Sequence, residues 1–190
     1  EIQRQIVELR SLKQLEPHQM PGAPVKYLFD SRYCQADQFQ SFVGDQFNGT
    51  VGGERVQAIH DWVAEKFTYT PGSSDASTTA HDSFIERRGI CRDYAHMVVT
   101  LARASVIPAR FVACYAPDVT PQDFHAVAEV FLHDPESEAG GTWQLVDATG
   151  MAKPDEIVKI GVGRDAADVS FLTSFGMVDL CEKDVEVLRD

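Results

Sequence analysis

No stretch of this chain is apolar for long enough to span a bilayer, which excludes a transmembrane helix within these 190 residues. The first residues carry no signal-peptide pattern. Basic residues are scarce: 17 Lys and Arg stand against 29 Asp and Glu, a formal charge of −12. That balance argues against a broad nucleic-acid or anionic-membrane surface. The four cysteines, Cys34, Cys91, Cys114 and Cys181, are scattered and form no CxxC pair. Neither a zinc ribbon nor a disulfide scaffold is expected, and a reduced cytoplasmic setting is the simpler reading. His18, His60, His81 and His133 fall in no HExxH pattern, and the acidic stretch Asp134–Glu138 lacks the ligand alternation of an EF-hand. Asp165 and Asp168 read as a capped turn rather than a calcium site. No metal or cofactor is expected. Internal repeats and low-complexity tracts are missing as well. What remains is the composition of an ordinary globular domain with enough chain to bury a sizeable core. The chain opens on Glu1, so it reads as a processed or trimmed piece of something longer.

What the sequence does contain is organised around Arg88-Gly89-Ile90-Cys91-Arg92-Asp93-Tyr94-Ala95-His96. Gly89 interrupts one helical pattern and a new amphipathic pattern starts at Cys91. Ala95, Val98, Leu101, Ala102 and Ser105 follow on its face. A helix beginning there leaves its first backbone N–H groups without intrahelical partners, and the positive end of its dipole favours a thiolate. Asp93 falls in the first turn, where a carboxylate caps well.

Upstream, residues 1–30 contain Pro17, Pro21 and Pro24 and read as a connecting segment, a possible remnant of a link to a missing N-terminal domain. Residues 31–190 form the expected catalytic domain. Short helices are predicted near 37–44 and 79–88, with Ser77, Thr78 or Thr79 capping the second and Gly89 at its left-handed C-terminal position. Between them Val56, Ile59, Val63 and Phe67 mark one helix face, with Trp62 at its border. After Pro108 the period changes from 3.6 to 2, predicting strands over 109–116, 124–132 and 142–148. Weaker strands are expected near 156–161 and 177–188, with a turn at 163–168. Helices first and strands later, joined by short connections, predict an α+β fold: a helical layer with a central Cys-bearing helix packed on an antiparallel sheet.

Strands 124–132 and 142–148 flank an acidic loop as a hairpin. Centred near Glu136, it sets His125 directly opposite Asp147; centred on Ser137, it sets Val127 opposite Asp147 and makes His125 a diagonal neighbour. Both registers share a face, and the first permits an imidazole–carboxylate hydrogen bond. Packing the Cys91 helix terminus over that face would complete a Cys91, His125, Asp147 constellation. Cys91 would attack an acyl carbon, His125 would pair with the thiolate and protonate the leaving amine, and Asp147 would fix the imidazole. The Cys91 N–H is a natural oxyanion donor; a second donor has no assignment from sequence.

At these residues the chain resembles the transglutaminase-like superfamily in its bacterial cysteine protease branch. The resemblance covers roughly residues 25 to 175. It is carried by Ser31-Arg32-Tyr33-Cys34, Gly89 to His96, Ile107-Pro108-Ala109-Arg110, Phe124-His125-Ala126 with Glu129-Val130, and Trp143 with Asp147-Ala148-Thr149. It implies a papain-like α+β core, a Cys91–His125–Asp147 triad, and acyl transfer from a carboxamide to water or an amine through a thioester. Two positions depart from the pattern. Val127 stands where a tryptophan is common, which points to an altered acyl groove. Cys114 stands where a glycine is common. Neither is expected to touch the triad.

His96, five residues beyond Cys91, is turned away from the sulfur and reads as a structural hydrogen-bonding group. Trp143 shares a strand face with Leu145 and Asp147 and is expected near the site, with plain core burial as the alternative. Cys91, Trp143 and Val127 are thus the candidates for oxyanion hole and substrate cleft. Amide or peptide hydrolysis on a peptide or protein substrate is the leading expectation. Protein-glutamine transamidation, or a non-catalytic binding or scaffold module, are the alternatives. Neither nucleic acid nor membrane is an expected partner, and oligomeric state is not encoded legibly.

Overall fold

The structure, a computed structural model, describes residues 8–179 and 181–189. Its helices are α1 (Gly22–Val25), α2 (Gln40–Gln46), α3 (Gly52–Lys66), α4 (Ala80–Glu86) and α5 (Cys91–Ala104). Its strands are β1 (Thr68–Tyr69), β2 (Arg88–Gly89), β3 (Ala109–Tyr115), β4 (His125–His133), β5 (Gly141–Val146) and β6 (Val158–Gly163). Strands β3 to β6 form one antiparallel sheet in the order β5-β4-β3-β6, and β1 pairs β2 in parallel. The helical layer against an antiparallel sheet is the α+β, papain-like architecture expected.

Helix α5 is the hub. Met97, Val98, Val99, Leu101 and Ala102 are fully buried between the sheet residues Ala109, Ala128, Val130 and Leu132 and the helical side contributed by Ile59 and Val63. Each large aliphatic side chain buried this way contributes about 1.5–3 kcal/mol. Around Trp62 the rings of Phe42, Phe47, Phe67 and Phe84 pack mostly edge to face. The segment Ser31–Cys34 braces α5: buried Arg103 donates to the Phe29 carbonyl and the Ser31 hydroxyl, and the Cys34 thiol reaches the His96 carbonyl. Burial pushes the Cys34 thiol up to about 12, as befits an inert core residue.

The N-terminal stretch makes specific contacts. Gly53 N–H donates to the Leu12 carbonyl and His133 N–H to the Lys13 carbonyl, while Leu15 is buried. Ile2 and Ile6, read with Leu9 as a helical pattern, lie outside the described residues.

Three expectations need correction. Gly89 is not the left-handed cap of α4: Arg87 takes that conformation, at φ 55°, and its guanidinium covers the Phe84 and Trp62 rings. Gly89 instead lies in β2, where a Cβ would stand 2.5 Å from the Asp93 Cβ. The last strand is β6, two residues later than predicted. No strand forms over 177–188 among the described residues; the Val187 backbone groups meet the Gln122 side-chain amide instead of a sheet edge.

Candidate active site

Helix α5 starts at Cys91 itself, with Ile90 extended ahead of it. The start is fixed from below by Asp93, which is buried. Its carboxylate accepts from Ile90 N–H at 2.8 Å and from the Ser74 hydroxyl at 2.6 Å, and it pairs with Arg92. The missing Cβ at Gly89 is what lets this carboxylate sit under the turn. Cys91 is half-buried, whereas Cys34 and Cys114 are buried.

In the hairpin Ala128 pairs with Val146 and Leu132 with Thr142. This register extends to Val127 opposite Asp147, so the hairpin is the Ser137-centred one and His125 is the diagonal neighbour. The imidazole–carboxylate bond, expected of the other register, forms all the same: His125 Nε2 and Asp147 Oδ2 are 3.0 Å apart. Asp147 lies just past the end of β5, where the chain leaves the ladder and the carboxylate can reach diagonally. By alternation His125 belongs with Val127, whereas Cys91 packs with Ala95, Phe111 and Ala126 on the other face. The three groups therefore meet at the end of the sheet, at the first residue of β4, and not over the middle of one face.

Asp147 is fully engaged. Oδ2 also accepts from Ala152 N–H at 2.8 Å, and Oδ1 accepts from the Thr149 N–H and hydroxyl at 2.9 and 2.7 Å. Burial pushes its carboxyl up, but His125 and the Thr149 donors outweigh burial and hold it below the usual carboxylate range. Burial likewise opposes charge on His125, yet the Asp147 carboxylate bonded to it and the Cys91 sulfur nearby raise it to about 9. With Nε2 given to Asp147, Nδ1 is the nitrogen left for the sulfur.

Sequence reading missed two neighbours. Tyr69 is paired across β1–β2 with Gly89, two residues from Cys91 along the chain; burial and then the Cys91 charge push its phenol up to about 12, so it stays neutral. His60 on α3 places Nε2 3.1 Å from the Asp147 carbonyl and Nδ1 2.9 Å from Asp61, tying the helical layer to the end of β5. A signal for Tyr69 existed, an aromatic just after a helix end and ahead of the Cys motif, but two residues are too short for a periodicity. His60 looked like any surface-face helical histidine.

The cleft candidates fare differently. Trp143 shares the Asp147 parity but lies four residues, about 13 Å, away along the strand. It stacks under the Arg110 guanidinium at 3.9 Å, against Phe131 and Tyr27. Val127 is buried among Val112, Cys114, Ala116 and Val119, so it takes the plain core position and not that of a cleft wall. Cys114, expected clear of the triad, is the direct cross-strand partner of His125. Its thiol is pushed up by burial and by the Asp147 and Cys91 charges. His96 does take the structural role: Nε2 accepts from Ala166 N–H at 3.1 Å between the Tyr33 and Phe111 rings. The 163–168 turn is capped, with Asp165 accepting from Tyr33 N–H and Asp168 pairing with Arg164.

A sequence profile of the transglutaminase-like superfamily matches residues 40–148, more than half the chain, and spans all three of these groups. The chain belongs to that superfamily. A crystal structure of a candidate cysteine protease from Cytophaga hutchinsonii superposes with a TM-score of 0.79 and 37% identity, over 86% of this chain and 55% of that one. An uncharacterized Mycobacterium leprae protein is 28% identical over 116 residues, 60% of this chain and 42% of its own length. One from Mycobacterium tuberculosis is 32% identical over 113 residues, 54% of this chain and 35% of its own. The superfamily member spans about half the length of these relatives, or less. Among the described residues no helix is long and apolar enough to cross a membrane, and no three His, Cys, Asp or Glu side chains converge as metal ligands do.

Proposed function

We propose that this superfamily member is a cysteine-dependent amide hydrolase acting on peptide or protein carboxamides through a thioester. The observation that supports it most is the His125 ring, buried, hydrogen-bonded to the Asp147 carboxylate, and close enough to the Cys91 sulfur for that group to help raise its pKa. Cys91 attacks the carbonyl carbon as a thiolate. The C–N bond breaks, and the departing amine takes the proton held by His125. Water then attacks the thioester, His125 accepts its proton, and the carboxylate leaves as the C–S bond breaks and the thiolate returns. Hydrolysis is favoured over transamidation by the candidate protease at 37% identity.

Iodoacetamide alkylation read by mass spectrometry tests the thiol. At pH 7 Cys91 should be modified at least tenfold faster than exposed Cys181, with Cys34 and Cys114 protected in the folded chain. His125→Ala should bring Cys91 down to the Cys181 rate. Equal rates for Cys91 and Cys181 in the unaltered chain would reject the reading and favour the non-catalytic binding module.

The tetrahedral oxyanion needs two donors. The Cys91 N–H supplies one, and the Tyr69 hydroxyl, neutral across the working range, supplies the other. Tyr69→Phe should lower kcat by roughly 10²–10³-fold, the usual effect of losing one such donor. Cys91 alkylation should be retained in that variant. Unchanged kcat would remove Tyr69 from the oxyanion hole.

A further inference from the structure

Next to His125 lies a rim that the proposed chemistry leaves unused. Asp118, Gln122 and Asp123 belong to the connection between β3 and β4, and Glu156 to the turn ahead of β6. The last described residues of the chain run along this rim. Gln122 holds Val187 by its main chain in both directions: Val187 N–H donates to Oε1 at 2.9 Å, and Nε2 donates to the Val187 carbonyl at 2.8 Å. Lys183 pairs with Asp123, and Arg189 pairs with Glu156 at 2.6 Å and Asp118 at 2.8 Å. Phe171 packs its ring 5.4 Å from that of Phe124.

The pattern of these contacts is that of peptide recognition. A side-chain amide that both donates to and accepts from one residue's backbone grips an extended segment whatever its side chain, as a β-ladder rung does. Flanking charges then add selectivity. Between 179 and 189 the chain carries four acids (Asp179, Glu182, Asp184 and Glu186) and two bases, and it is the two bases that meet the rim. The rim also borders the site. Asp123 precedes His125 by two residues, and its charge is felt by the Tyr69 phenol beside Cys91.

We propose that Asp118, Gln122, Asp123 and Glu156 form a binding strip for an extended polypeptide segment that presents two basic side chains spaced as Lys183 and Arg189 are and enters the Cys91–His125 site, occupied here in cis by residues 183–189. The strip stands on its own contacts; its meaning as a substrate track rests on the hydrolase reading. Exposed ion pairs are weak and screened by salt, so the cis segment yields to a competing one.

The test uses the full chain and a fluorescein-labelled peptide with the sequence of residues 182–189. In Lys183→Glu/Arg189→Glu the cis segment is repelled and the strip is freed. Fluorescence anisotropy at low salt should show this variant binding the peptide at least tenfold more tightly than the unaltered chain. Adding Gln122→Ala should lose that gain, and a peptide with both bases changed to Glu should not bind. Cys91 alkylation should accelerate severalfold in the freed variant. Equal peptide affinity in both chains, no binding by either, or equal binding of the charge-reversed peptide would each overturn the strip. Alkylation unchanged by release would overturn the strip's entry into the Cys91–His125 site. Peptide binding does not require the thiol, so Cys91→Ala in the freed background should bind normally. Binding without turnover in the Cys91-containing protein would therefore reject the hydrolase reading and leave the strip standing.

Discussion

Cys91→Ala is expected to abolish hydrolysis of a quenched-fluorescence peptide library, a loss on the order of a millionfold when a covalent nucleophile is removed. The same change should leave the thermal transition nearly where it was. Cys91 is half-buried at a helix start whose position is set by the Asp93 carboxylate, the Ile90 N–H and the Ser74 hydroxyl, none of which touches the sulfur chemistry. The core of α5 begins beyond it, at Tyr94 and Met97. Losing the sulfur leaves His125 bonded to Asp147, so the partner keeps its own anchor. Turnover by the variant comparable to that of the unaltered chain would eliminate the covalent mechanism. A collapse of the melting temperature along with activity would show instead that Cys91 is structural.

The second large effect is on stability at acid pH. His96 is fully buried, and burial pushes its pKa down from 6.5 to about 3. The unfolded chain takes up this proton near 6.5 and the folded chain does not until about 3. Stability from this group is therefore complete above 6.5, falls as pH drops through the interval, and levels off near 3. The full interval is worth on the order of 5 kcal/mol, a large part of a domain's net stability. Nε2 accepts the Ala166 N–H, so protonation would also break that bond and set two donors against each other. Urea unfolding from pH 7 to 4.5 should show the loss. His96→Gln, which keeps an acceptor and does not titrate, should flatten the slope; an equal slope in the variant would assign the acid sensitivity elsewhere. His125 acts at the other end of the scale. Raised to about 9, it contributes stability that is complete below 6.5 and is lost as pH rises through 9.

Much of this is legible in the amino-acid sequence. The start of α5 at Cys91 was legible because a break, an amphipathic period and a first-turn carboxylate all point to the same residue, and such agreement between levels is what specifies a fold. The pairing of His125 with Asp147 was legible as a shared strand face, but its register was not, since a flexible loop tip leaves the centre of a hairpin free by a residue. The reason for Gly89 was hidden for a different cause: it depends on where the Asp93 side chain lies, and the glycine needs no positive φ at all. Trp143 was placed by parity alone, which says which face a residue shares and nothing about how far along the strand it stands, and Val127 by the family position it occupies, which says nothing about what its own side chain packs against. Tyr69 and His60 reach the site across tertiary distances from a two-residue strand and a helix face, and no local pattern encodes either contact.

The short parallel pairing of Thr68–Tyr69 with Arg88–Gly89 also has a mechanical consequence. It fastens the end of α3 to the start of α5, so the phenol and the sulfur travel together as parts of one lever. The imidazole and its carboxylate ride on the sheet. Helix α5 joins the two, since its core side chains pack directly on the sheet, and the His60 bond to the Asp147 carbonyl is a second tie between α3 and the end of β5. Thiol and imidazole are thus held in register from both sides, and the alkylation rate of Cys91 would gauge how firmly.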